Sequence, residues 1–176
     1  MTDQEARIFL EGEHLQMLQL VSQNPLLELI TPQRFPSREF LVSMLAQGLA
    51  RRDGKIVPAY GLNIRIRLND DYLTRADSHE VLEYLGPHEE PWHPNFHGSR
   101  IYLPIRAGQS VVDLVRGCFN LWAWHQYSDQ DDNLNTEVVE WARQQPTAAF
   151  PVDSRTLIWP PLPCCDCEVE ECSCDA

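Results

Sequence analysis

Two groups of residues in this chain carry side chains suited to chemistry. The first is His93-Pro94-Asn95, followed by Gly98-Ser99-Arg100-Ile101-Tyr102-Leu103. One short stretch thus holds two imidazoles (His93 and His97), a carboxamide (Asn95) and two hydroxyls (Ser99 and Tyr102). A hydroxyl attacks an acyl group well only when a base takes its proton or its acidity is raised. His93 and His97 are near enough in sequence to serve Ser99. A phenol, ionising near pH ~10, is a poor nucleophile at neutral pH unless activated. The second group is Cys164, Cys165, Cys167, Cys172 and Cys174, interleaved with carboxylates near the C-terminus. Thiolates are soft ligands, so zinc or copper(I) is chemically reasonable there. The spacing is not the paired C-x-x-C of zinc ribbons, and the plainer reading is an acidic tail with redox-labile thiols.

Plain readings exist for the other reactive residues. His88, His93 and His97 with Glu89 and Glu90 can be drawn as a metal site, but their spacing matches no ligand motif. Solvent-exposed loop histidines without metal are the better reading of His88 and His97. Tyr102 reads most simply as a strand residue filling a groove. Cys118 falls on the apolar face of a helix, where a thiol is a small buried hydrophobe. The tryptophans read as core or interface aromatics rather than as a cofactor box.

The elements that must position these residues follow from periodicity. Residues 3–22 form an amphipathic helix capped at Thr2 or Asp3, with Ile8, Glu11, Leu15 and Leu18 tracing one face, and Leu10, Met17 and Leu20 widening it. Asn24-Pro25 stops it, and 26–36 is loop or short strand. Residues 38–49 form a long strand, and Asp53-Gly54 makes a hairpin turn because both positions tolerate positive φ. In 62–68, Leu62, Ile64, Ile66 and Leu68 alternate with Asn63, Arg65 and Arg67, the pattern of a half-buried antiparallel strand. Residues 80–85 read as a third strand, 86–100 as irregular and turn-rich, and 101–103 as a short extended piece. Ser110 starts a second helix with Val111, Leu114, Val115, Cys118, Leu121 and Trp122 on one face. Thr136 caps a third, Glu137 to Gln144. The order predicts an α+β domain over 1–158, a strand meander with helices on one face and at the ends. Residues 159–176 are expected to form a flexible Pro-rich linker and Cys-rich acidic tail.

Composition bounds the partners. The 176 residues are 43% hydrophobic, enough for a packed core, and carry a net charge of −12. Such a chain repels nucleic-acid backbones and anionic membranes. The polar, acidic start lacks the apolar stretch of a secretory signal, and no apolar run is long enough to span a bilayer. A cytoplasmic protein is expected.

Three stretches, in order, resemble the ubiquitin-conjugating enzymes. The first is the N-terminal helix leading into a meander. The second is the HPN strip: in that family an HPN turn leads into a Gly-containing segment ending Ile-Cys-Leu, whose cysteine carries ubiquitin as a thioester. Tyr102 occupies the matching position. The third is Asp131-Asp132-Asn133-Leu134-Asn135-Thr136-Glu137-Val138-Val139-Glu140, which is similar to the family's acidic residues, Pro-Leu-Asn-Pro-Glu and helix. The resemblance covers roughly residues 3–150. Departures are the missing cysteine, a slightly short spacing from Asn95 to Tyr102, a weak proline-rich approach to the third strand and an aromatic cluster of Phe119, Trp122, Trp124 and Tyr127.

The resemblance implies a UBC-like fold with an N-terminal helix, meander, HPN turn, long central helix and C-terminal helix. It implies either a divergent bacterial relative in a ubiquitin-like modifier pathway or a cysteine-lacking variant that binds modifier or partner. The expected partners are a ubiquitin-like modifier protein and its adenylating (activating) enzyme, which residues 3–22 would meet. No cofactor is required. Asn95 would steady the oxyanion, directly or by holding the loop, while His93 and Pro94 would fix the turn. Pro94, His97 and Gly98, with the start of the long helix, would hold the modifier's tail. Ser99 or Tyr102 would carry the modifier as an oxyester if a covalent intermediate forms. A rival reading is a metal-responsive adaptor with zinc on the terminal cysteines.

Overall fold

The computed structural model describes residues 3–30, 35–127 and 135–158. The Cys-rich tail lies outside these residues, and with it the metal reading for Cys164, Cys165, Cys167, Cys172 and Cys174. The described chain is α+β. Helix α1 (Asp3–Gln23) precedes β1 (Leu27–Leu29), β2 (Glu39–Arg52) and β3 (Lys55–Arg67). A single helical turn, α2 (Ser78–Val81), leads into β4 (Leu82–Gly86). The short strands β5 (Phe96–His97) and β6 (Arg100–Ile101) precede α3 (Val111–Trp122) and α4 (Thr136–Arg143). The six strands form one antiparallel sheet in the order β1-β2-β3-β4-β6-β5.

The β2–β3 hairpin turns at Asp53 (φ 52°) and Gly54 (φ 72°), the paired left-handed residues that a twisted two-residue hairpin requires. Alternation sets the inner face of the sheet. Phe40, Val42, Met44, Leu62, Ile64 and Ile66 are fully buried, whereas Arg65 and Arg67 point outward and pair with Glu39 and Glu83. Helix α3 packs on β2 and on α1, burying Val111, Leu114, Val115, Cys118, Leu121 and Trp122 as its periodicity predicts.

Gly48 is needed at the contact of β2 with α3. A Cβ there would lie 2.4 Å from the Trp122 ring. Beside it, β2 bulges between Met44 and Gln47. Three side chains take up the backbone groups that the bulge leaves out of the ladder: Trp122 Nε1 donates to Ala46 O at 3.0 Å, Arg155 Nη2 donates to Leu45 O at 3.1 Å, and Gln47 N donates to Asp153 Oδ2 at 2.8 Å.

Four expectations need correction. On α1 the buried side is Leu10, Glu13, His14, Met17 and Leu20, while Ile8, Leu15 and Leu18 are 60, 58 and 46% exposed. Apolar residues occupy both sides of this helix, so periodicity did not select the core face. Glu13 faces inward because its carboxylate accepts from Ser110 Oγ at 3.0 Å and Val111 N at 2.5 Å, at the start of α3. Residues 80–85 are not all strand: Asp77 caps the turn α2 by accepting from His79 N, and β4 begins only at Leu82. The turn-rich stretch before Ile101 contains β5, joined to β6 through Gly98 and Ser99. The cap of α4 is Asn135, whose side chain accepts from Val138 N, with Thr136 as the first helical residue.

Candidate functional site

The HPN turn is built around a buried imidazole. His93 has no exposed surface. The Asn95 amide N–H donates to its Nδ1 at 3.1 Å, so Nδ1 is an acceptor and the ring proton sits on Nε2. That nitrogen donates to the Gln126 carbonyl at 3.1 Å. Burial, partly opposed by the Gln126 bond, pushes His93 down to about 3. Its ring packs 4.5 Å from Trp124 and 5.7 Å from Phe96, centroid to centroid. His93 is therefore a neutral strut at neutral pH, and neither nitrogen is available to a nucleophile.

The end of α3 makes this strut reachable. Trp124 adopts φ 61°, which turns the chain back after the helix so that the Gln126 carbonyl meets His93. A non-glycine residue held there costs roughly 1 kcal/mol or more. Packing offsets it: Trp124 is 2% exposed and stacks on Phe150 at 4.5 Å. Trp92 and Trp141 complete this second core, and the Arg51 guanidinium lies 4.1 Å over the Trp92 ring. Trp92, Trp124 and Trp141 thus form core under the turn.

Asn95 is 5% exposed and joins the turn to the strip that follows. Its Nδ2 donates to the Tyr102 carbonyl at 2.8 Å, and Tyr102 N donates to the Asn95 carbonyl at 2.8 Å. Pro94 is buried, and its carbonyl accepts from Asn135 N at 2.9 Å, so the residue that caps α4 also ties down the turn. Burial gives Pro94 a role in the turn and leaves it little surface for a partner.

The hydroxyls and remaining histidines lie in more open surroundings. Gly98 (φ 60°) and Ser99 form the exposed two-residue turn between β5 and β6. The Ser99 carbonyl accepts from Tyr84 N at 2.8 Å, which anchors the turn. His97 is exposed on β5, opposite Arg100. A groove of about 510 Å³ borders Ser99 and is lined by Arg65, Arg67, His79, Glu83 and Arg100 among others. Tyr102 is half-buried, and His79 meets its ring edge-to-face with centroids 4.6 Å apart.

His79 is the neighbour that sequence reasoning missed. The available signal was Asp77-Ser78-His79-Glu80, a cap residue followed three positions later by a glutamate, which marks a helix start rather than a strand. His88 is not a free loop residue either. It is half-buried, stacked on Trp122 at 5.7 Å, with Nε2 2.9 Å from the Tyr60 carbonyl. The three histidines do not gather, and among the described residues no group of three His, Cys, Asp or Glu side chains is placed to hold a metal. Cys118 is fully buried, and burial pushes its thiol up to about 12. It is closed to acyl chemistry.

Among the described residues no helix is long and apolar enough to cross a membrane. Comparison with known proteins returns no match: no family model, curated protein or solved structure is significantly similar to this chain.

Proposed function

We propose that the chain is a divergent ubiquitin-conjugating-like protein of a ubiquitin-like modifier pathway. It receives or positions a ubiquitin-like protein delivered by an adenylating, activating enzyme. The observation that carries this reading is the pair of 2.8 Å bonds between Asn95 and Tyr102. They link the HPN turn to the one position where the resembled family keeps its cysteine. The contact between Asn135 and Pro94 adds support, because it brings the third resembling stretch onto the second.

The chemistry served by such a site is aminolysis of an acyl group, in which charge develops on the carbonyl oxygen. With its Nδ2 on the Tyr102 carbonyl, Asn95 acts by holding the loop. His97 and Gly98, exposed beside it, face the modifier's tail. The outward residues Ile8, Leu15 and Leu18 on α1 supply apolar surface for the activating enzyme. The departures from the family pattern fit a bacterial member working in the cytoplasm. A second reading, an adaptor that positions the modifier without carrying it, draws on the sealed Cys118 and on Ser99, which has no histidine ring bonded to its hydroxyl.

The test combines the full chain with an adenylating (activating) enzyme and a small ubiquitin-like protein, taken from next to the gene if such a pair is encoded there. With ATP, the full chain should form an adduct that survives reducing agent and is cleaved by hydroxylamine, or should co-elute with the charged modifier. Neither adduct nor co-elution with a competent activating enzyme sinks both readings. The metal-responsive adaptor has its own test: a reduced full-length preparation with no more bound zinc than a chain truncated after Pro163 ends it.

A further inference from the structure

Resting on the modifier-pathway reading, we infer that Tyr102 is itself the acyl carrier and holds the modifier as an aryl ester on its phenol oxygen. The residue is held from two directions. Its backbone is tied to Asn95 by two bonds of 2.8 Å, and its ring is packed edge-to-face by His79. No described residue bonds its hydroxyl, and the side chain is half-buried rather than sealed. The competing carriers fare worse. Cys118 has no exposed surface, and Ser99 sits at the tip of an exposed turn, with His93 locked elsewhere.

Leaving-group chemistry favours the phenol over the alkanol. Phenols ionise near pH ~10, close to the ~8.5 of a thiol, whereas an alkanol is a far weaker acid. An aryl ester therefore keeps an acyl group reactive toward amines, as a thioester does. A serine ester would hold the same group in a much less reactive form.

In the loading step solvent hydroxide takes the phenol proton, so that loading speeds up as pH rises, and the phenolate oxygen attacks the carbonyl carbon of a thioester donor. A C–O bond forms, the C–S bond breaks, and the departing thiolate takes up, through solvent, the proton that the phenol loses. In the transfer step an amine attacks the ester carbonyl. A C–N bond forms, the aryl C–O bond breaks, and the phenolate is reprotonated by the proton that the amine releases. Nothing is oxidised or reduced. His79 touches the ring and not the hydroxyl, so it is a positioning residue.

The experiment incubates the full-length chain with a glycine-ended peptide thioester of mercaptoethanesulfonate, followed by intact-mass analysis and peptide mapping. The expected result is one acyl group on the Tyr102 peptide, removed by neutral hydroxylamine, absent in a folded Tyr102→Phe chain and retained in Ser99→Ala. His79→Ala should slow acylation about fivefold, and His79→Phe should restore it, because ring packing and not proton transfer is at stake. Tyr102→Cys should take the same group as a thioester. An adduct that persists in Tyr102→Phe, or that forms only in Tyr102→Cys, overturns the carrier inference and leaves the pathway reading standing. No adduct on any of these chains also overturns it, and co-elution with the charged modifier then decides the pathway reading separately.

Discussion

The HPN turn and the strip from Gly98 to Tyr102 are neighbours in sequence and opposites in construction. In the turn, His93 has a partner on each nitrogen, Pro94 is buried, and Asn95 is almost so. In the strip, residues 97–100 are exposed and the Ser99 and Tyr102 hydroxyls have no described partner. The turn is a scaffold, and Gly98, Ser99 and Arg100 of the strip are surface. A site of this kind keeps its geometry because the groups that hold it differ from the groups that meet a partner.

That contrast breaks most sharply at His93. His93→Ala leaves a cavity and two unpaired backbone groups, so chemical denaturation should register a loss of about 3 kcal/mol or more. Asn95→Ala removes the bond to the Tyr102 carbonyl and should cost about 2 kcal/mol. It should also shift and broaden the amide signals of residues 96–103 in an NMR spectrum, whereas loss of stability alone leaves them in place. Gly48→Ala, outside both regions, should cost about 1–3 kcal/mol through its clash with Trp122. In the strip, Ser99→Ala should change stability by no more than ~0.5 kcal/mol. A large loss there would show that the strip is also scaffold.

The same contrast appears in pH dependence. His93 sits at about 3 in the fold against 6.5 in the open chain. Its neutral form therefore contributes stability fully above about pH 6.5, and that contribution is lost as pH falls from there toward about 3. In this window the unfolded chain binds the extra proton, and the slope is at most ~1.4 kcal/mol per pH unit. Asp153, held below the usual carboxylate range chiefly by its bonds to Arg155, adds a second loss at more acid pH, below about 3.9. Urea midpoints measured from pH 7 to pH 3 should follow this two-stage fall. A folded His93→Gln chain should lose the larger part of the first-stage fall, with the part due to His14, also held below the usual imidazole range by burial, remaining, and a parent chain already flat there would show that the His93 imidazole is hydrated.

Much of the fold was legible in the residues. The strict alternation of 62–68, the Asp-Gly turn and the one-sided helix after Ser110 are local patterns, each with a single interpretation. The site was partly legible. His93-Pro94-Asn95 marked the turn, but the partner of His93 is a carbonyl 33 residues away. His79 was hidden because Val81, Leu82 and Tyr84 favour a strand so strongly that the cap at Asp77 was overlooked.

The sequence by itself determined the three long helical segments and the two long strands, how the hairpin turns and which side chains carry reactive groups, since φ/ψ preference and hydrophobic period act within a few residues. Tertiary structure alone decided that α1 turns Leu10, Met17 and Leu20 inward rather than Ile8 and Leu15, that a bulge in β2 is bonded by Trp122, Asp153 and Arg155, and that His79 lies against Tyr102. Those choices depend on which distant surfaces can be buried together and on which buried backbone groups still need a partner, and no local pattern encodes either.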